Sequence, residues 1–305
     1  MLRDRLISSA LILVCLTVLI YVDAKFLPEG SGGIALLPAV LAFGLGTAFE
    51  YQRMVAASDR PIRKTPFLIA VGMVLLLSSS PLWWPLAGAV YPDPCPIGRI
   101  GWPLLGMLAA VFALVSVEVL RFGLDAGSPI DRLAYAVLGL IWIAMPLGYL
   151  IVLRQLGQDL WGLAALLWLL AVTKSADAGA FGAGRVFGRH KLLPRVSPGK
   201  TWEGLCGGWI AAMLVSWFAV LWLTPNGNSM NGLGATALPA AALGSICTVA
   251  GLLGDLSESM IKRIAGAKDS GAILPGLGGF WDVTDSLLAT AIPGTFWFAS
   301  WANQS

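Results

Sequence analysis

The sequence predicts an all-α fold, a polytopic integral membrane helix bundle of about nine transmembrane helices. Three observations lead there. Of 305 residues, 57% are hydrophobic and 12% charged, against about 25% charged in an ordinary soluble domain. Apolar runs long enough to cross the hydrocarbon, which takes about 20 residues of helix, recur along the whole chain. Lys and Arg fall almost entirely in alternate connectors. The mean hydropathy of +0.78, 13 Trp and 36 Gly suit membrane interfaces and close helix contacts. This composition excludes a disordered chain, a coiled coil, collagen and a secreted disulfide scaffold. A net charge of +3 offers no basic field, so no nucleic-acid partner is expected. Cys15, Cys95, Cys206 and Cys247 form no C-x-x-C pair, which removes a zinc or redox centre.

The spans run in order along the chain. Residues 6–22 have an apolar core longer than a signal-peptide h-region. Val22-Asp23-Ala24 only weakly resembles a cleavage site, so the segment reads as a retained helix. The second span, 32–49, closes at Arg53; the third, 65–87, comes after Arg60, Arg63 and Lys64. The fourth, 100–120, closes at Arg121 and carries Glu118 near its end. The fifth, 133–153, lies between Arg132 and Arg154, and the sixth, 160–176, runs into Lys174. The seventh, 205–223, comes after Lys200-Thr-Trp-Glu. The eighth, 237–254, ends at Gly254-Asp255, and the ninth, 286–301, comes after Asp282 and Asp285. The apolar spacing is too continuous for the alternation of an outer-membrane barrel. With the N-terminus inside, 17 of the 20 basic residues face inward and only Lys25, Arg99 and Arg154 face outward, which obeys the positive-inside rule and puts the C-terminus outside.

One continuous membrane domain is expected: 1–170 as its N-terminal spanning part and 171–305 as its C-terminal catalytic part. The inside segments 174–204 and 254–285 hold nine of the 20 basic residues. Long charged connectors in a compact bundle are more often functional than idle.

Three constellations could carry chemistry. On a helix, Asp255, Glu258, Ser259 and Lys262 share one face. Carboxylates beside Lys262 and Arg263 suit Mg²⁺ with a phosphorylated substrate; an exposed helix end laced with ion pairs is the alternative. Next come Lys268-Asp269-Ser270-Gly271 and the glycine-rich run 274–279, with Asp282 and Asp285 at the start of the last span. Glycines let backbone N–H groups approach phosphate, while either acid could simply cap the helix. The third constellation runs from Asp177 to Ser197-Pro-Gly-Lys200-Thr201-Trp-Glu203-Gly204. It is no P-loop, because Pro194 stands where a glycine is required. Lys200 and Thr201 could still bind phosphate, or the loop could bind anionic headgroups. His190 is the only histidine, and no Ser-His-Asp or Cys-His arrangement can be assembled.

Together these motifs resemble the phosphatidate cytidylyltransferases, or CDP-diacylglycerol synthases. The signature S-x-x-K-R-x4-K-D is matched by 259–269. Its downstream part, P-G-H-G-G and then D-R-x-D, is matched at Pro275, Gly276, Gly278, Gly279, Asp282 and Asp285. The stretch from Asp177 through Glu203 is similar as well. The likeness is specific across about 177–286; the first 170 residues match only as hydrophobic spans. Leu277 replaces the family histidine, and Val283 the arginine after the first aspartate.

The resemblance implies that CTP and phosphatidic acid give CDP-diacylglycerol and pyrophosphate, with Mg²⁺. The site would lie on the cytoplasmic face of an inner membrane, open to the bilayer. Asp255 and Asp282 would hold the metal, with Asp285 and Asp269 next. Lys262, Arg263 and Lys268 would hold the triphosphate. Asp177, Ser197, Lys200, Thr201, Ser259, Gly278 and Gly279 would line the substrate. Gly207 and Gly208 permit close packing, within the chain or in a homodimer. Three alternatives stand beside this reading: an enzyme using CTP on a polyprenol or ether lipid, a transporter or scaffold, and a non-catalytic homologue.

Overall fold

The computed structural model describes residues 2–26, 31–58, 62–92, 95–124, 127–157, 160–223, 232–267 and 269–302. Apart from one small hairpin, the regular structure is helical. The helices are α1 Leu2–Lys25, α2 Leu37–Ala57, α3 Lys64–Ser78, α4 Ser80–Leu86, α5 Trp102–Leu120, α6 Pro129–Gly139, α7 Met145–Arg154 and α8 Trp161–Phe187. After strands β1 Lys191–Leu193 and β2 Ser197–Thr201 come α9 Trp202–Leu223, α10 Gly232–Ile264 and α11 Phe280–Ala302.

Each of the nine apolar segments falls on helix. Among the described residues, six helices are long and apolar enough to cross a membrane, or seven if α3 and α4 form one broken span. Neither α2 nor α11 is among them, so the count of nine is not met on length and composition alone. The 53° bend between α3 and α4 has a local cause: Pro81, in the first turn of α4, supplies no N–H to the Leu77 carbonyl that would carry the helix across the break. A π-helical turn, Leu140–Ala144, joins α6 to α7 just ahead of Pro146. That proline has no N–H for the Trp142 carbonyl, and the wider turn absorbs the fault.

The chain divides into two compact units, 1–163 with 261–284 and 164–260 with 285–305. In the first, Tyr51, Phe67 and Trp281 are fully buried, with Tyr51 lying 5.9 Å from Phe67 and 5.6 Å from Trp281 between ring centroids. Two buried acids, Asp23 and Glu118, tie helix ends together in this unit through ion pairs. Asp23 Oδ2 lies 2.8 Å from Arg154 Nε, and Asp23 Oδ1 accepts the Gly33 N–H at 2.7 Å. Asp23, read from sequence as part of a weak cleavage site, is therefore a buried part of the fold. Glu118 finds an internal polar contact, with Arg63 at 2.6 Å and Arg132 at 2.8 Å.

In the second unit, Leu169, Val172, Leu243 and Phe298 are buried. Thr173 and Thr290 hydroxyls meet at 3.0 Å. Helices α8 and α9 close on small residues: a Cβ at Gly207 would strike Ala183, and one at Gly208 would strike Ala176 and Ala180. These glycines are thus used within the chain and supply no argument for a homodimer.

Candidate active site

The second unit gathers Asp255, Glu258 and Asp285. Asp255 and Glu258 stand one turn apart on α10, so they share a face, and Asp285 comes from α11. One ligand oxygen from each lies within 4.8 Å of the others. Gly254 makes the meeting possible, because a Cβ there would run into the Asp285 carbonyl and Ala289. Three carboxylates this close repel one another unless a cation or proton intervenes. An all-oxygen donor set is the kind a hard divalent cation takes. Glu258 is buried at 1% exposure.

The hairpin brings a cation to this group. Strands β1 and β2 pair antiparallel, Lys191 opposite Thr201 and Leu193 opposite Ser197. Lys200, on β2, places its Nζ 2.7 Å from Asp255 Oδ2. Ser259 Oγ lies 3.3 Å from the other oxygen of Asp255. Asp177, on α8, pairs loosely with Lys174 at 3.3 Å and accepts from Ser286 Oγ at 3.2 Å. Ser197 sits on β2 without entering this group through any of those contacts. Thr201 is buried, and its Oγ1 accepts the Gly204 N–H at 3.1 Å, which makes it the cap of α9. His190 is exposed, with Nδ1 2.5 Å from Glu203 Oε1.

The first unit holds the glycine-rich turn. Leu274 and Gly278 form an isolated antiparallel bridge, and Gly276 and Gly278 take φ of 77° and 96°, which only glycine adopts without strain. Asp282, in the first turn of α11, anchors this turn. Its Oδ2 accepts the Gly279 N–H at 2.7 Å and the Ser270 N–H at 3.0 Å, while Oδ1 meets Lys262 Nζ at 2.8 Å. Burial alone would raise the Asp282 carboxyl; Lys262, the Gly279 N–H and Ser270 outweigh it and hold the group below the ordinary carboxylate range. Arg263 and Asp269 are exposed, and Lys268 lies outside the described residues.

The sequence motif pairs Asp255 with Asp282. The acid cluster instead pairs Asp255 with Asp285 and Glu258, and Asp282 belongs to the other unit, where Lys262 and the turn occupy it. Helical spacing puts Glu258 on the shared face but gives it no role. Glu50 escapes a reading of motifs altogether, although it contacts the turn from α2. A lone acid closing an apolar run is its only signal.

Apolar helices carrying clustered acids, paired lysines and glycine turns at their ends are the equipment of a membrane-embedded nucleotidyltransferase. The chain belongs to the cytidylyltransferase family, which matches residues 3–300. It is similar to the phosphatidate cytidylyltransferase of Pseudomonas aeruginosa, 32% identical over 307 residues and 99% of each chain. Over 272 residues it is 30% identical to that of Brucella suis, covering 85% of this chain and 83% of the relative. A third match, to the Haemophilus influenzae phosphatidate cytidylyltransferase, is 44% identical over 133 residues but spans only 44% of that relative's length.

Proposed function

We propose that this protein is a phosphatidate cytidylyltransferase, making CDP-diacylglycerol and pyrophosphate from CTP and phosphatidic acid. The observation that carries this reading is the end-to-end similarity to a protein of that name, joined to a carboxylate cluster suited to a divalent cation. A lipid phosphate oxygen attacks the α-phosphorus of CTP; the new P–O bond forms as the α–β bond breaks and pyrophosphate leaves. The phosphate is already a nucleophile at neutral pH, so no activated side chain is needed. That fits a chain whose single histidine is exposed and paired with Glu203.

Asp255, Glu258 and Asp285 would hold Mg²⁺, which when bound neutralises charge on the triphosphate and the leaving group. The protein's own part is positioning and charge. Lys200, held by Asp255, faces phosphate beside the acids. Lys262, oriented by Asp282, and Arg263 supply further positive charge. The cytoplasmic-face placement of the site is supported by the 17-to-3 division of basic residues, and an inner-membrane location is part of the same reading.

The test is direct. Purified protein with labelled CTP, phosphatidic acid and Mg²⁺ should yield labelled CDP-diacylglycerol and pyrophosphate, and chelation should stop it. Absence of product, or transfer to a polyprenol phosphate in preference to phosphatidate, would overturn the assignment.

A further inference from the structure

Glu50 stands on α2, more than 120 residues ahead of the motifs that carry the candidate site, and its exposure is 0%. An acid so placed is tolerated only when hydrogen bonds replace its water. Its Oε1 accepts the Phe280 N–H at 2.9 Å. Its Oε2 accepts the Trp281 N–H at 3.0 Å and lies 2.9 Å from Ser270 Oγ. Phe280 and Trp281 open α11, so their N–H groups are among those a helix leaves unpaired at its start. Glu50 caps that helix from 230 residues away. The turn is moulded around it, since a Cβ at either Gly271 or Gly279 would strike the Glu50 carboxylate.

Ser270 extends the chain of contacts. Its Oγ is also 2.8 Å from Asp282 Oδ2, so one hydroxyl proton serves two carboxylates, and Asp282 in turn holds Lys262 at 2.8 Å. Every contact in the series Glu50, Ser270, Asp282, Lys262 lies within the first unit. We infer that Glu50 is a positioning residue for the transfer reaction: through Ser270 and the start of α11 it fixes Asp282, and thereby the Lys262 ammonium that meets the nucleotide phosphates. This rests on the proposed function for the identity of that substrate; the network does not.

Glu50→Gln keeps the volume but turns an amide N–H₂ toward groups that are themselves donors. A purely structural cap would lower the folded fraction, reducing apparent kcat while leaving KM unmoved in the molecules that fold. A positioning role displaces Lys262 in folded molecules. KM for CTP should therefore rise about tenfold, the scale at which supporting contacts act in ligand sites, with KM for phosphatidate unchanged. Ser270→Ala removes only the bridging hydroxyl and should raise KM for CTP in the same sense; it decides the matter if Glu50→Gln does not fold. Wild-type KM for CTP in the folded variants, or loss of folded protein in both, overturns the inference. A wild-type protein that makes no CDP-diacylglycerol overturns the functional reading instead, and the inference with it.

Discussion

At the scale of residues, charge is paired before it is used. Asp255 has Lys200, and Asp282 has Lys262 and a glycine N–H; the two acids should therefore fail differently when neutralised. Asp255→Asn and Asp285→Asn remove charge from the three-acid cluster. Each should cut turnover by at least about a hundredfold and shift the Mg²⁺ titration to higher concentration, since even supporting contacts at metal sites are worth 10–100-fold. Asp282→Asn should instead raise KM for CTP with a nearly unchanged Mg²⁺ midpoint. A shifted Mg²⁺ midpoint in that variant would return Asp282 to the metal.

Acid adds a second signature. Because the folded Asp282 value is depressed, its clamp contributes stability above the unfolded value near pH 4 and loses it as pH falls through the folded one. The gap in unfolding midpoint between wild type and Asp282→Asn should hold steady from pH 7 to 5 and narrow below about 4; a gap that narrows between pH 7 and 5 would contradict the assignment. The residue types of this chemistry were legible in the sequence, because Asp255, Lys262, Asp282 and Asp285 stand in a dense motif. Their partnerships were not. Which acid of Asp282 and Asp285 meets Asp255 depends on helix rotation, which spacing alone leaves open.

At the scale of elements, helix ends are joined by a few polar contacts across distant sequence. Asp23–Arg154 is the strongest case, with the Asp23 side chain wholly enclosed and that of Arg154 6% exposed. Removing one partner strands a buried charge, at a cost of about 3–5 kcal/mol. Asp23→Ala and Arg154→Ala should each destabilise the protein by that order, and the double variant should recover much of the loss. Additive losses in thermal unfolding would show the pair is not coupled. Gly254 makes a parallel point about backbone. Gly254→Ala should push α10 from α11 where the acids converge, lowering turnover more than it lowers expression; wild-type turnover would mean the helices can part without harm to the site. The sequence disclosed the helices, because apolar run length and basic flanks mark them. It did not disclose the hairpin 191–201, whose strands are short and half exposed, nor the break at Ser79, which falls in the Ser78-Ser79-Ser80 run just ahead of Pro81.

At the scale of the molecule, the arrangement proposed from basic residues can be set against contacts within each unit. With the N-terminus inside and nine crossings, Ser8 and Pro275 share the inner face, as do Glu50 and Phe280, and Arg63, Glu118 and Arg132. Asp23 and Arg154 share the outer one. Each of these groups is bonded in the first unit. In the second, Lys200 with Asp255 and Asp177 with Ser286 are again inner-face partners. One wrong crossing between any two partners would place them about 30 Å apart across the hydrocarbon, so these contacts support the same parity. The weak points are α2 and α11, too polar to be counted as spans on composition. Polarity has a local cause in each: Glu50, Gln52 and Arg53 close α2, and Asp282 and Asp285 stand in the opening turns of α11, Asp282 bonded to the glycine-rich turn. Both helices should therefore cross, with their polar ends inside. A reporter that works only in the cytoplasm should be active when inserted at 125–126, between α5 and α6, and silent when fused after Ser305; a periplasm-only reporter should give the reverse. A cytoplasm-only reporter active after Ser305 would require an even number of crossings. In that case α11 would return to the inner face, and the positive-inside assignment would hold only for the chain before it.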